Sequence, residues 1–523
     1  ENHEASSYVG EDGESVLTDM KAVPQVITLP MENENGRMAT VNLYPKNIED
    51  KPTVTKTHDE TVAELQMKKD AMIGQEIPYI ITTKIPAQAK YATAVWTDQM
   101  TEGLTLVPTS ITVEGAGLGA GDYTISSDVD AGTFSVVLGP TGLEKINNKN
   151  AEQTITIKYT AILNDLAVVE VPEANDVMFH YGNSPDYGNT PIPTEPLDNK
   201  ITVKKSFATG TDKPAEGIEV QLVDAQTGEN IGEVVTLNEG NNWTYTWENL
   251  VEGNEYKVVE VSTGYVVTYG VESVGIITLE NKKSNNPPPI NPDEPIVTTY
   301  GKKFVKTDNA DENPERLVGA EFVITNAAGD KYLALKEGTQ DLEAYNTAKA
   351  AYDTAIAAVN AALAKGEISA DNPVTFGGNT YTTQEAAEAA IADLYTALGT
   401  ALETAQVQWK WADTEEAAYK FISGPNGQFE VTGLAPGTYY LVETKAPAGF
   451  VLNENPIEFK IGERSIVNIS YELEGNTPDA QQVKNTKVTI PQTGGIGTVI
   501  FGVVGVTLMG GAVVAFKKSE DEE

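Results

Sequence analysis

The chain has 523 residues, no cysteine, and a formal net charge of −40 from 76 acidic against 36 basic residues. That length allows three or four domains of ordinary size, and the charge excludes nucleic acid and anionic membrane surfaces as partners. Any covalent reinforcement must come from chemistry other than disulfides. His3, His58 and His180 are too scattered to form a metal cluster, and Asp308–Asn313 lacks the spacing and glycine of an EF-hand, so neither metal nor cofactor is expected.

The first 23 residues are acidic and contain Gly and Ser. Glu1–Gly13 is polar and has no apolar signal core, so residue 1 is expected to follow a processed or truncated N-terminus. Val26–Leu29 and Val41–Tyr44 read as short strands. Pro45 cannot donate to a ladder and ends the second, which puts Lys46 on an exposed turn. The run Tyr44-Pro45-Lys46-Asn47 resembles the pilin motif of sortase-assembled backbone pilins. That resemblance implies that Lys46 accepts the threonyl group of a neighbouring subunit. It also implies that residues 1–50 are the remnant of an N-terminal pilin domain.

Residues 51–197 alternate short apolar strands with Gly, Pro and Asn breaks, the pattern of a β-sandwich. Thr53–Lys56, Val95–Thr105 and Tyr181–Pro185 resemble the second domain of backbone pilins, and Pro-rich residues 184–197 read as a short stiff linker. A smaller unit, 198–284, runs from Ile201–Phe207 through Tyr256–Glu260 to Ile277–Asn281, and it resembles the Cna-B-type immunoglobulin-like module. Asn285–Pro295, with three consecutive prolines, is expected to be an extended linker. The last unit, 296–488, carries a similar frame, and its Tyr439–Pro447 run resembles the E-box of sortase-assembled pilins. Two Ala-rich stretches, about 340–365 and 383–408, have helical periodicity and high helix propensity. They predict a helical hairpin inserted over about 337–415 as a spacer or packing flap. The fold class is therefore mainly β: tandem immunoglobulin-like sandwiches, a helical insertion in the last, and a C-terminal transmembrane helix.

Each β unit is expected to offer a lysine in its first strand, an asparagine in its last and an acid between. This set resembles the spontaneous Lys–Asn isopeptide sites of pilin and Cna-B-type domains. The resemblance assigns Lys56, Asp98 and Asn183 to the second unit, Lys205, Glu260 and Asn281 to the third, and Lys306, Glu443 and Asn485 to the fourth. The chemistry needs burial, which disfavours the ammonium and yields a neutral nucleophile while keeping the carboxyl protonated. Strand parity leaves the lysine open, since Lys204 and Lys205 point to opposite faces, as do Lys303 and Lys306. The Lys-X-Phe and Lys-X-Asp contexts favour Lys205 and Lys306.

The tail, 489–523, reads Ile490-Pro491-Gln492-Thr493-Gly494, an apolar run from Ile496 to Phe516, Lys517-Lys518 and an acidic end. The run is long enough to span a bilayer as a helix, with a cytoplasmic basic flank. This order resembles the cell-wall sorting signal, with Ile490 in place of the family's Leu. It implies cleavage after Thr493 by a sortase, acyl transfer to an amine, and discard of a transient membrane tether. The resemblances together imply the major subunit of a covalent cell-surface pilus, with Thr493 joined to Lys46 of the next identical, head-to-tail subunit. The implied partners are a class C pilus sortase, a housekeeping sortase, ancillary pilins, peptidoglycan and a host ligand; the chain is a sortase substrate and no turnover enzyme. Two rivals share parts of the pattern: a non-polymerising wall-anchored adhesin or ancillary pilin, and a wall-anchored glycosidase, for which no convergent pair of acids is found.

Overall fold

The computed structural model describes residues 51–488 apart from 263, 312, 337–342, 364, 406–407, 463–465, 468 and 472–479, together with the backbone of four short strands before residue 50. Of the pilin motif, Asn47 opens one of these, Asn47–Glu49, which pairs antiparallel with Met20–Ala22. The Lys46 and Thr493 assignments and the apolar run 496–516 lie outside the described residues. Among the described residues, no helix is long and apolar enough to cross a membrane.

The second unit is a sandwich. One sheet orders its strands Thr53–His58, Glu76–Ile85, Gln153–Leu163, Leu104–Gly115, and the other is built on the central pair Thr93–Met100 and Glu173–Gly182. The alternation along Glu76–Ile85 sends Ile77, Tyr79, Ile81 and Ile85 into the core, all fully buried. They meet Trp96 and Phe179 from the opposite sheet, and the Trp96 indole N–H donates to Thr83 Oγ1 across the core at 2.8 Å.

The third unit pairs Ile201–Phe207 in parallel with Ile276–Lys283, so the first and last strands are neighbours in one sheet. The second sheet orders Asn230–Leu237, Ile218–Asp224, Tyr256–Glu260. The fourth unit repeats the parallel first–last pairing with Tyr300–Asp308 and Gln481–Asn485. Its helices, Glu343–Leu363 and Gln384–Thr404, leave and return between the paired strands Tyr332–Leu335 and Trp409–Ala412, as the Ala-rich periodicity predicted. Tyr352, Ala355, Val359 and Ile391 fill the core between them. A small hairpin caps the helices; its Gly377-Gly378 turn has φ of +57° and +77°, the primed geometry that matches strand twist.

Two expectations about linkers are corrected. Asn285–Pro295 is no free spacer: Asn286 exchanges hydrogen bonds with Ser184, and Ile290 bridges Phe179. Ile296–Thr298, assigned above to the last unit, instead pairs with Glu173–Ala174 and with Lys68–Asp70, adding a strand to the second unit's sheet. The cause is an open sheet edge whose backbone groups need partners. Residues 184–197 likewise pack rather than span, through Thr190 on Thr97 and Thr194 on Tyr256.

The second and fourth units also share one apolar core, joined through Ile73, whose N–H donates to Gly433 O and whose carbonyl accepts from Trp409 N–H. Between the second and third units, Lys257 is buried in contact with Asp176 (2.8 Å) and Glu294, and Asn291 Nδ2 donates to Asp176 Oδ1.

Candidate functional site: three buried lysine, acid and asparagine clusters

In the third unit, Lys205 and Asn281 project from adjacent parallel strands into the core. Lys205 Nζ donates to Asn281 Oδ1 and lies 3.0 Å from Glu260 Oε2, while Asn281 Nδ2 donates to Glu260 Oε1 at 2.7 Å. Glu260 comes from the opposite sheet, on Tyr256–Glu260, and uses its two oxygens to touch both nitrogens. The parity question resolves in favour of Lys205. Lys204 faces outward, 43 % exposed, and pairs with Glu272 at 2.8 Å.

The fourth unit repeats this arrangement. Lys306 Nζ donates to Asn485 Oδ1 and lies 3.1 Å from Glu443 Oε1, and Asn485 Nδ2 donates to Glu443 Oε1 and Oε2 at 3.0 and 2.8 Å. Lys303 instead reaches Ile469 O at the unit's surface. Gly427, at φ +68°, closes a turn against the Lys306 carbonyl, where a Cβ would collide with backbone.

The second unit is built differently, and here the assignment of Asn183 is corrected. Asn183 is exposed beyond the end of its strand. Asn175, fully buried eight residues earlier, accepts from Lys56 Nζ through Oδ1 at 2.5 Å, and Asp98 Oδ2 lies 2.7 Å from the same amine. Asn175 has the parity of Val177, Phe179 and Tyr181, which all face the core. Asn183 shares that parity, so the signal that distinguishes the two is position: Asn175 lies within the strand and Asn183 past its end. Lys56 belongs to one sheet, while Asp98 and Asn175 sit on neighbouring strands of the other. This cluster ties sheet to sheet, whereas the other two tie strand to strand within a sheet.

The lysine is shifted in the same direction in all three units. Burial holds the lysines below their ordinary range, against the opposing pull of the acids: Lys205 falls to about 8, and Lys56 and Lys306 are lowered too. Burial pushes Asp98 up to about 6 and raises Glu260. All three lysine–acid pairs have side chains with no solvent exposure. Aromatic rings cover the amines, with centroids 5.7 Å (Tyr159), 5.5 Å (Phe207) and 5.5 Å (Phe322) from Nζ. Lys257 is the instructive contrast: buried with two carboxylates, it is held above the ordinary lysine range by Asp176 and Glu294 despite its burial. It is a protonated ion-pair partner and no nucleophile.

A poised amine–amide–acid cluster beneath the first strand of serial β-sandwiches places the chain among the self-supporting pilin and Cna-B-like modules. Family models agree along the chain. The N-terminal domain of the Gram-positive pilin subunit D1 matches residues 1–48. Gram-positive pilin backbone subunit 2 and subunit 3, both Cna-B-like domains, match 73–185 and 198–324. A prealbumin-like fold domain matches 396–476, and the LPXTG cell wall anchor motif matches 482–523. The full-length major pilin RrgB of Streptococcus pneumoniae is 38% identical, with 93% of this chain and 82% of that one covered and a TM-score of 0.74. A separate structure of the RrgB pilus backbone is 38% identical over 84% of this chain and all of its own, with a TM-score of 0.71. The trypsin-resistant surface T6 protein of Streptococcus pyogenes serotype M6 is 26% identical over 346 residues; the match spans 56% of this chain and 60% of that protein. The chain belongs to the Gram-positive pilus backbone subunits, anchored to the cell wall.

Proposed function

We propose that this chain is the polymerising shaft subunit of its pilus, joined by a sortase through Thr493 to Lys46 of the next copy and reinforced by three internal Lys–Asn isopeptide bonds. The link between copies is head-to-tail and heterologous, so it grows an open filament. The observation that carries the reading is the pairing of a sorting signal after Asn485 with a buried amine–amide contact in each of three serial domains.

The internal step needs no partner. The neutral lysine Nζ attacks the asparagine Cγ, the C–N bond to Nδ2 breaks, and the amine proton is passed through the acid to the departing nitrogen, which leaves as ammonia. Contact between amine and amide supplies the effective concentration, and water exclusion prevents hydrolysis. The three bonds link Lys56 to Asn175, Lys205 to Asn281 and Lys306 to Asn485.

Replacing Lys46 with Ala tests the polymerisation. The expected result is loss of the high-mass ladder on a denaturing gel of cell-wall extracts, with monomer still anchored. A surviving ladder would assign the acceptor to another lysine, and a wild-type chain with no ladder would make it a non-polymerising surface protein.

A further inference from the structure

In the third and fourth units a glutamate bridges both reacting nitrogens by itself. Asp98 is one methylene shorter and does not. Its Oδ2 touches Lys56 Nζ, its Oδ1 has no hydrogen-bond partner, and it makes no bond to the amide nitrogen of Asn175. The gap is filled by Tyr159, whose hydroxyl donates to Asp98 Oδ2 at 2.9 Å and accepts from Asn175 Nδ2 at 2.9 Å. Tyr159 sits on the opposite sheet from both, 2 % exposed, between Tyr79 and Phe134.

We infer that Tyr159 is a catalytic residue of the second unit's crosslink, relaying the proton from Asp98 to the departing amide nitrogen of Asn175. The inference rests on the isopeptide chemistry proposed above. The balance is closed. Lys56 Nζ loses one proton to Asp98 as it bonds to Asn175 Cγ; Asp98 returns a proton to the Tyr159 oxygen as the Tyr159 O–H proton moves to Nδ2; ammonia leaves, and tyrosine and carboxyl end as they began. Burial holds the phenol well above its ordinary range, so the transfer is concerted and passes through no free phenolate. Aspartate plus tyrosine thus does the work of one glutamate. The reason is architectural: Asp98 is on the strand beside Asn175, facing Val177 in register, whereas the glutamates reach across from the opposite sheet.

The test is peptide mapping of the purified full-length chain, following the Lys56–Asn175 branched peptide over time. Tyr159→Phe keeps the ring and removes the relay. It should slow this bond by roughly a hundredfold, the low end of what a positioned proton donor contributes, and leave the Lys205–Asn281 and Lys306–Asn485 bonds unchanged. Tyr79→Phe is the packing control, because Tyr79 lies close to the same amide but its hydroxyl makes no hydrogen bond; it should crosslink as wild type does. The double variant Asp98→Glu/Tyr159→Phe should regain the bond, since the longer acid can span both nitrogens. Crosslinking of Tyr159→Phe at the wild-type rate, an equal loss in Tyr79→Phe, or no recovery in the double variant would each overturn the relay. Absence of the Lys56–Asn175 bond from the wild-type chain would instead sink the crosslink itself, and the relay with it.

Discussion

Lys205 and Asn281 are offset by two residues on neighbouring parallel strands: Lys205 is opposite Leu279 and Asn281 is opposite Phe207. Lys306 and Asn485 repeat the offset, with Lys306 opposite Val483 and Asp308 opposite Asn485. An even offset keeps amine and amide on the same face, and parallel pairing lets the lysine stem lean along its strand to the amide. A single-residue slip in either ladder would turn one partner to solvent.

The mass of the folded chain should fall short of its sequence by three ammonias. Asn175→Ala should remove one of the three, and Asn183→Ala none, because Asn183 is exposed and far from Lys56. Intact-mass spectrometry reads the difference directly. A deficit smaller by one ammonia in Asn183→Ala would return the assignment to that residue.

Loss of a crosslink should cost stability that grows only with the logarithm of the loop it closes. Lys205 and Asn281 are 76 residues apart, and Lys306 and Asn485 are 179 apart. By the loop-entropy argument used for disulfides, each tie is worth about 4–5 kcal/mol. Asn281→Ala and Asn485→Ala are the informative variants, since they leave the buried lysine–glutamate pair intact. Guanidinium unfolding should show a matching drop, and an unchanged midpoint would mean the tie was never formed.

The pH dependence of bond formation should differ between units. The reactive state holds one proton between amine and acid, which the pair keeps from the acid's pKa up to the amine's. With Asp98 at about 6, the second unit should slow as pH falls below about 6, where acid and lysine are both protonated. With Lys205 at about 8, the third unit should slow as pH rises above about 8, where neither holds the proton. Peptide mapping of chains refolded across pH 5–10 would follow both limbs, and identical profiles for the two bonds would contradict this.

The junction between the second and third units should loosen as pH rises. Glu173 and Glu294 are pushed up to about 7 by burial, and burial, with Glu173 and Glu102 nearby, holds Glu255 well above the usual carboxylate range. A folded pKa above the unfolded one gives stability that is full below the unfolded value, near 4.5, and is lost as pH rises through about 7. Lys257, between Asp176 and Glu294, offsets part of this. Limited proteolysis at Asn285–Pro289 should therefore be faster at pH 8 than at pH 5 relative to a junction-free control peptide, and Lys257→Met should accelerate it at both.

Periodicity carried most of this fold into view. Strand alternation and the Ala-rich helical phase mark the sandwiches and the inserted hairpin, and the third and fourth clusters follow from residues that lie in their strands' own sequence context. The second cluster was harder to read. Its strand is buried on both faces, so polar residues of both parities appear along Glu173–Gly182; Asn175 and Asn183 share the phase of Val177 and Phe179, and only position separates them, Asn175 lying inside the strand and Asn183 just past its end. The role of Ile296–Thr298 was hidden because nothing in three residues of strand propensity says which distant edge they will complete.

That short strand decides how a pull travels. The chain leaves the second unit after Tyr181, makes the third unit, and returns to the same sheet edge before entering the fourth. A stretched filament would thus transmit force from Lys56 across to Asn175, along the Glu173–Ala174 pairing into Ile296–Val297 and on to Tyr300, with the third unit hanging beside the line of force. Only when that clip shears would the third unit be drawn into line. Were Lys205 tied to Asn281, the shear would release the flanking segments 184–200 and 284–295 and not the folded unit between them. The subunit then behaves as a rod with a fuse: a small, recoverable extension that dissipates a sudden tug while every covalent bond stays whole.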